Sequence, residues 1–149
     1  MRLLLFILGT IGCLQSCLGP ARADDVPKIL RERCGERGSA LIGPVRSEAR
    51  RWLLHPDLLA RVVGHESRCD PAADSGVGDL GLGQIRLGTD AARGASRAEL
   101  MRPGLNLYLT ARHLAWCLIL CGERIPGALS VYSGRRWCRA SAYSWRVMR

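Results

Sequence analysis

The stretch PDLLARVVGHES, residues 56–67, is the part of the chain whose reading decides the fold. Pro56 suits the first turn of a helix, and Leu59, Val62, Val63 and Glu66 recur at helical spacing. The spacing predicts a helix from Pro56 to about Ser67, because Asp70-Pro71 blocks its extension. Glu66 continues the apolar face. A carboxylate there is either a buried, hydrogen-bonded structural group or one whose pKa is raised until it can give up a proton.

Downstream, residues 72–88 read AADSGVGDLGLGQIRLG, with glycines at 76, 78, 81, 83 and 88. That density rules out a regular helix and predicts a loop or small hairpin whose backbone approaches something closely. Thr89 is placed to cap a short helix, and Ser96 with Glu99 has capping-box spacing for another. Pro103 to Cys121 reads as a long, nearly wholly buried central helix, through Leu105, Leu109, Ala111, Leu114, Ala115, Leu118 and Ile119, closed by Gly122. Pro126 opens a last clear helix, GALSVY. Upstream, GPVRSEARRWLL (43–54) puts Val45, Ala49, Trp52 and Leu53 at helical intervals. The expected fold is a mainly α single domain.

The ends of the chain carry other signals. MRLLLFILGTIGCL combines an early arginine with an apolar run too short to span a bilayer, and A-R-A at 21–23 offers small residues for cleavage, so residues 1–23 read as a secretory signal peptide. LQSC at 14–17 is a looser alternative, a lipoprotein-type site that would anchor the chain through a lipidated Cys17. The expectation is an exported protein, periplasmic or wall-associated. Without Arg2 and Arg22 the formal charge falls from +9 to +7, and Lys28 is the only lysine. Such a balance suits an anionic polymer: nucleic acid, acidic lipid or a wall glycan with peptide carboxylates, of which nucleic acid drops out after export. Residues 135–149 hold five arginines and no acid, with Trp137, Tyr143 and Trp145 between them, and read either as a solvated tail or as a polymer-contacting surface.

Five of the seven cysteines lie beyond residue 23: Cys34, Cys69, Cys117, Cys121 and Cys138. Export makes disulfides the default, and the odd count leaves one thiol free or paired between chains. Cys117 and Cys121, four apart on one helix, face the same way and suit different partners. His55, His65 and His113 show no zinc-type spacing, so no metal is expected.

A glutamate at the end of an apolar helix face, followed by a glycine-rich wall, suits glycoside chemistry, in which a proton must reach the leaving oxygen. H-E-S at 65–67, S75-x-x-G78-x-x-G81-L82-G83-Q84-I85, N106-L107 with His113 and Leu114, and V131-Y132-S133-G134 together resemble the soluble lytic transglycosylase domain over roughly residues 55–135. The resemblance implies a lysozyme-like fold, with the glycine-rich loop beside the active-site cleft, that cuts peptidoglycan between N-acetylmuramic acid and N-acetylglucosamine without cofactor. It makes Glu66 the acid/base and leaves 1,6-anhydro ends. By the same resemblance Ser67 completes the E-S pair, Ser75 begins the glycine motif, Gly81, Leu82 and Gly83 form the backbone wall, Gln84 lines the groove, Tyr132 is the tyrosine whose hydroxyl lies near the acid, and Ser133 belongs to the substrate-orienting turn that follows it. Asn106 is expected to tie helix ends together.

Three departures stand out: Gly83 where the family carries Met, Ser133 where it carries Asn, and Asp79 where it carries Ala. With Asp70 and Asp74, Asp79 supplies a second carboxylate for a hydrolytic, goose-type-lysozyme-like alternative; a non-catalytic peptidoglycan-binding module is the other. The family fold implies a Cys69–Cys138 bridge, with Cys34 then paired to Cys117 or Cys121. The expected partner is the glycan strand, met by a monomer, with association to a secretion or conjugation apparatus left open as a role.

Overall fold

A computed structural model describes residues 24–149, so the segment read as a signal peptide, with Cys17, lies outside the described residues. The order is α1 (Val26–Cys34), a 3-10 turn (Gly35–Leu41), α2 (Ile42–Arg51), α3 (Pro56–Ser67), a hairpin of β1 (Asp79–Leu80) and β2 (Ile85–Arg86), then α4 (Arg97–Leu100), α5 (Pro103–Leu120), α6 (Ile125–Tyr132) and α7 (Ala142–Met148). The fold is mainly helical, as the periodicity predicts. Leu58, Leu59, Val62 and Val63 of α3 and Leu107, Ala111, Leu114 and Leu118 of α5 meet in one core with residues of α1, α2, α6 and α7. Each large apolar side chain fully buried there is worth about 1.5–3 kcal/mol. A smaller core, Leu80, Ile85, Ala92, Leu100 and Leu109, lies under the hairpin. The cleft described below runs between hairpin and helices.

Close approach explains one glycine inside a helix. A Cβ at Gly64 would meet Arg33 Cδ at 2.7 Å and Cβ at 2.8 Å, so only glycine lets α1 lie this near α3. α3 then stops at Arg68 and Cys69, whose φ values of 51° and 61° are left-handed. That turn delivers Cys69 to the end of α1.

Several expectations need correction. The disulfides are Cys34–Cys69 and Cys121–Cys138, and Cys117 is a buried free thiol. The left-handed turn after α3 aims Cys69 at Cys34, while Cys121, at the end of α5, meets the loop after α6. Thr89 caps no helix: residues 89–94 form turns, and its hydroxyl donates to Arg86 O at 2.7 Å. α5 is not buried to its end, since Ile119 is 73% exposed. α2 stops at Arg51, leaving Leu53 in left-handed backbone (φ 55°) and solvent. The basic C-terminal run is no tail. Ser141 and Ser144 form a reciprocal cap that starts α7, and Ser144 and Val147 are buried.

Candidate active site

The last turn of α3, the hairpin, the middle of α5 and the ends of α6 and α7 enclose a cleft of about 610 Å³ lined in part by Glu66, Asp79, Gln84, His113, Tyr132 and Tyr143. Glu66 is half-buried, and its Oε1 accepts a hydrogen bond from the Tyr143 hydroxyl. None of the ion pairs among the described residues includes it. Desolvation raises its pKa above the ordinary 4.5; the Tyr143 bond opposes that rise and the charge of Asp79 adds to it.

Tyr143 is held from a distance. Arg33 of α1 donates to Val147 O at 2.8 Å and Arg61 of α3 to Met148 O at 3.0 Å, so two guanidinium groups satisfy carbonyls at the end of α7. The His65 ring meets Tyr143 edge to face at 5.2 Å. Burial, with Arg33 and Arg146 nearby, lowers the His65 pKa and so favours the neutral ring.

The opposite wall is organised by charge pairing. The hairpin register sets Asp79 directly across from Arg86. Arg86 Nη2 donates to Asp79 Oδ2 at 2.8 Å and Nε to Oδ1, a bidentate clasp. Ser75 Oγ accepts from Asp79 N at 3.0 Å, which fixes the loop behind the carboxylate.

Buried Asn106 joins this wall to α5. It donates to Leu80 O (2.8 Å) and Leu100 O (2.9 Å) and accepts from Gly83 N (2.9 Å), tying the hairpin, not only helix ends. A Cβ at Gly83 would come within 2.6 Å of Thr110 Cγ2, so the space behind Gly83 belongs to Thr110 and no side chain is missing from the cleft. Leu82 is fully buried, and Gly81 packs against Asn106, so neither presents a side chain to a ligand.

Of the residues singled out in the sequence, the cleft brings together Glu66, Gln84, Tyr132 and Ser133, with Asp79 and His113. Gln84 Nε2 donates to Ala73 O (3.2 Å) and Gly81 O (3.0 Å). The Tyr132 hydroxyl donates to Gly83 O at 2.7 Å, joining α6 to the hairpin. Ser67 and Ser75 serve the backbone instead, Ser67 Oγ donating to Leu82 O at 2.9 Å. Sequence reasoning missed Tyr143, Arg86 and Trp116, which also line the cleft. The S-x-x-S cap at 141–144 was the one local signal for α7.

Among the described residues no group of three or more His, Cys, Asp or Glu converges on a metal position. What the cleft can do is keep a proton on Glu66 to higher pH than an exposed carboxyl would, deliver it to a nearby oxygen, and steady the resulting carboxylate with the Tyr143 hydroxyl. A family model described as the transglycosylase SLT domain matches residues 43–144. No curated protein matches the chain.

Proposed function

The chain belongs to the transglycosylase SLT domain family, whose activity is directed at peptidoglycan, and from that premise we propose that it cleaves the MurNAc–GlcNAc bond with Glu66 as the single acid/base. Protonated Glu66 donates to the glycosidic oxygen as the bond to the anomeric carbon breaks. The substrate's own N-acetyl oxygen stabilises the developing positive charge. Ionised Glu66 then takes the proton of the muramoyl 6-hydroxyl, whose oxygen closes the 1,6-anhydro ring. Glu66 ends the cycle protonated, and Tyr143 donates to it while it carries charge.

The observation that carries this reading is the contrast between two carboxylates in one cleft. Glu66 has a phenol for a partner and a raised pKa, whereas both oxygens of Asp79 are engaged by Arg86. A paired-carboxylate glycosidase needs a second acid at about 5 Å or about 6.5–9.5 Å that is free to attack or to activate water. Asp79 in its clasp is poorly suited to either task. Gln84 and Ser133 are the side chains we assign to glycan contact, with Tyr132 fixing the wall between them.

Residues 1–23 are read as the export signal and 24–149 as the working domain, a periplasmic or wall-associated monomer. Two disulfides suit an oxidising compartment. N-terminal mass mapping of exported protein should find Asp24 first; a lipidated Cys17 overturns the cleavage assignment. The function itself is tested on purified sacculi by mass spectrometry of the released ends. Anhydro-muramoyl ends, one water lighter than hydrolysed ends, are expected. Hydrolysed ends assign the protein to the muramidase class, and binding without cleavage makes it a glycan-binding module.

A further inference from the structure

We propose that the end of α5, together with the disulfide-bound loop after α6, is a docking surface for an anionic lipid bilayer. The core face of α5 is covered, but its last turn leaves Ile119 73% and Leu120 54% exposed. Trp116, Ile119 and Leu120 stand at i, i+3 and i+4 and so share one side of the helix. The Cys121–Cys138 bridge, with Cα atoms 5.3 Å apart, brings the following loop to the same place, where Cys138 Sγ lies 3.8 Å from Leu120 O. Trp137, the residue immediately before Cys138, is 73% exposed. Large aliphatic and indole side chains that the fold does not cover are thereby fixed around one disulfide.

Charge defines the partner. Arg135, Arg136 and Arg139 flank Trp137, all exposed, and Arg124 folds against the helix end by donating to Cys121 O at 3.1 Å. None of the four is ion-paired among the described residues. Glu123 is the only acid after Glu99. A sugar strand offers hydroxyls and ring faces and gains little from Ile119 and Leu120. A bilayer surface offers acyl chains for the aliphatics, a headgroup layer for the indole and phosphates for the guanidinium groups. No described helix is long and apolar enough to cross a membrane, so the contact is peripheral. Trp116 belongs to the cleft and lies one turn from Ile119, so docking holds the cleft mouth near the bilayer.

The test is co-sedimentation of the exported chain with vesicles of phosphatidylcholine alone and of phosphatidylcholine with about a third phosphatidylglycerol, at low and physiological salt. Binding to the anionic vesicles is expected, weakened by salt. The double substitution Ile119→Ser, Trp137→Ala should weaken it at least tenfold, and Arg136→Glu, Arg139→Glu should do likewise. Melting curves and cleavage of soluble glycan fragments should be unchanged in both, which separates this surface from the catalytic reading. Absence of binding to anionic vesicles overturns the proposal. So does binding that survives loss of Ile119 and Trp137, since charge alone then accounts for it. Variants that lose purified sacculi while the parent never binds vesicles assign the patch to glycan instead.

Discussion

Glu66 and Asp79 face the same cleft from opposite walls, and the fold treats them oppositely. Glu66 sits where a helix face is apolar, is desolvated and meets only a phenol. Asp79 sits on the hairpin, half-buried like Glu66, but has a guanidinium set against it by strand register. A carboxyl group becomes a proton donor through isolation, and a paired one becomes a strut. The difference teaches that the resemblance to a family motif locates both residues, but only their partners assign them different work.

The comparison breaks most visibly at Glu66. Glu66→Gln keeps the acceptor for Tyr143 and removes the titratable proton, so lytic turnover should fall about 100- to 10,000-fold. Stability should move the other way. Because the folded-state pKa of Glu66 is raised, the native state favours the protonated form, and its contribution to stability is lost as pH rises through that pKa. Glu66→Gln lacks this loss, so its thermal unfolding should match wild type at acidic pH and occur at equal or higher temperature at pH 7.

Gly83→Ala presses a methyl into Thr110 and should cost about 1–3 kcal/mol in urea unfolding. Adding Thr110→Gly should recover part of that, because the obstructing side chain is gone. An uncoupled pair would show that the hairpin is held to α5 some other way. Tyr143→Phe removes a hydrogen bond to a charged acceptor, worth about 1.5 kcal/mol, and should slow turnover about tenfold. Since that bond lowers the Glu66 pKa, the basic limb of kcat/KM should shift to higher pH. Asp79→Asn should have the smallest effect. It removes a charge that raises the Glu66 pKa, so the basic limb should shift to lower pH with little loss of rate. An inactive Asp79→Asn would return the hydrolytic mechanism to first place.

The sequence was most legible where structure is local. Pro56 and the spacing of Leu59, Val62 and Val63 define α3 to its last residue, the glycines of 76–83 define the hairpin, and Ser96 with Glu99 caps α4 as read. Motif order pointed to Glu66 and Tyr132, and both line the one cleft. What escaped depends on distant partners. α7 is only seven residues long, and it is fixed by Arg33 and Arg61, 114 and 87 residues away from the carbonyls they reach. Tyr143 was therefore invisible as a site residue. The disulfides were mispaired because the direction of Cys69 is decided by two left-handed residues after α3, a feature that composition does not announce.

The central claim is that isolation, not pairing, makes Glu66 the proton carrier, and NMR titration of its side-chain carboxyl tests this most directly. With the 13C chemical shift of Glu66 followed from pH 3 to 9 in wild type and assigned by its loss in Glu66→Gln, the account predicts a midpoint above the ordinary 4.5, coinciding with the basic limb of the cleavage profile. A midpoint at or below 4.5 would mean that the carboxyl is already ionised where the enzyme works, and the single-acid account would be wrong.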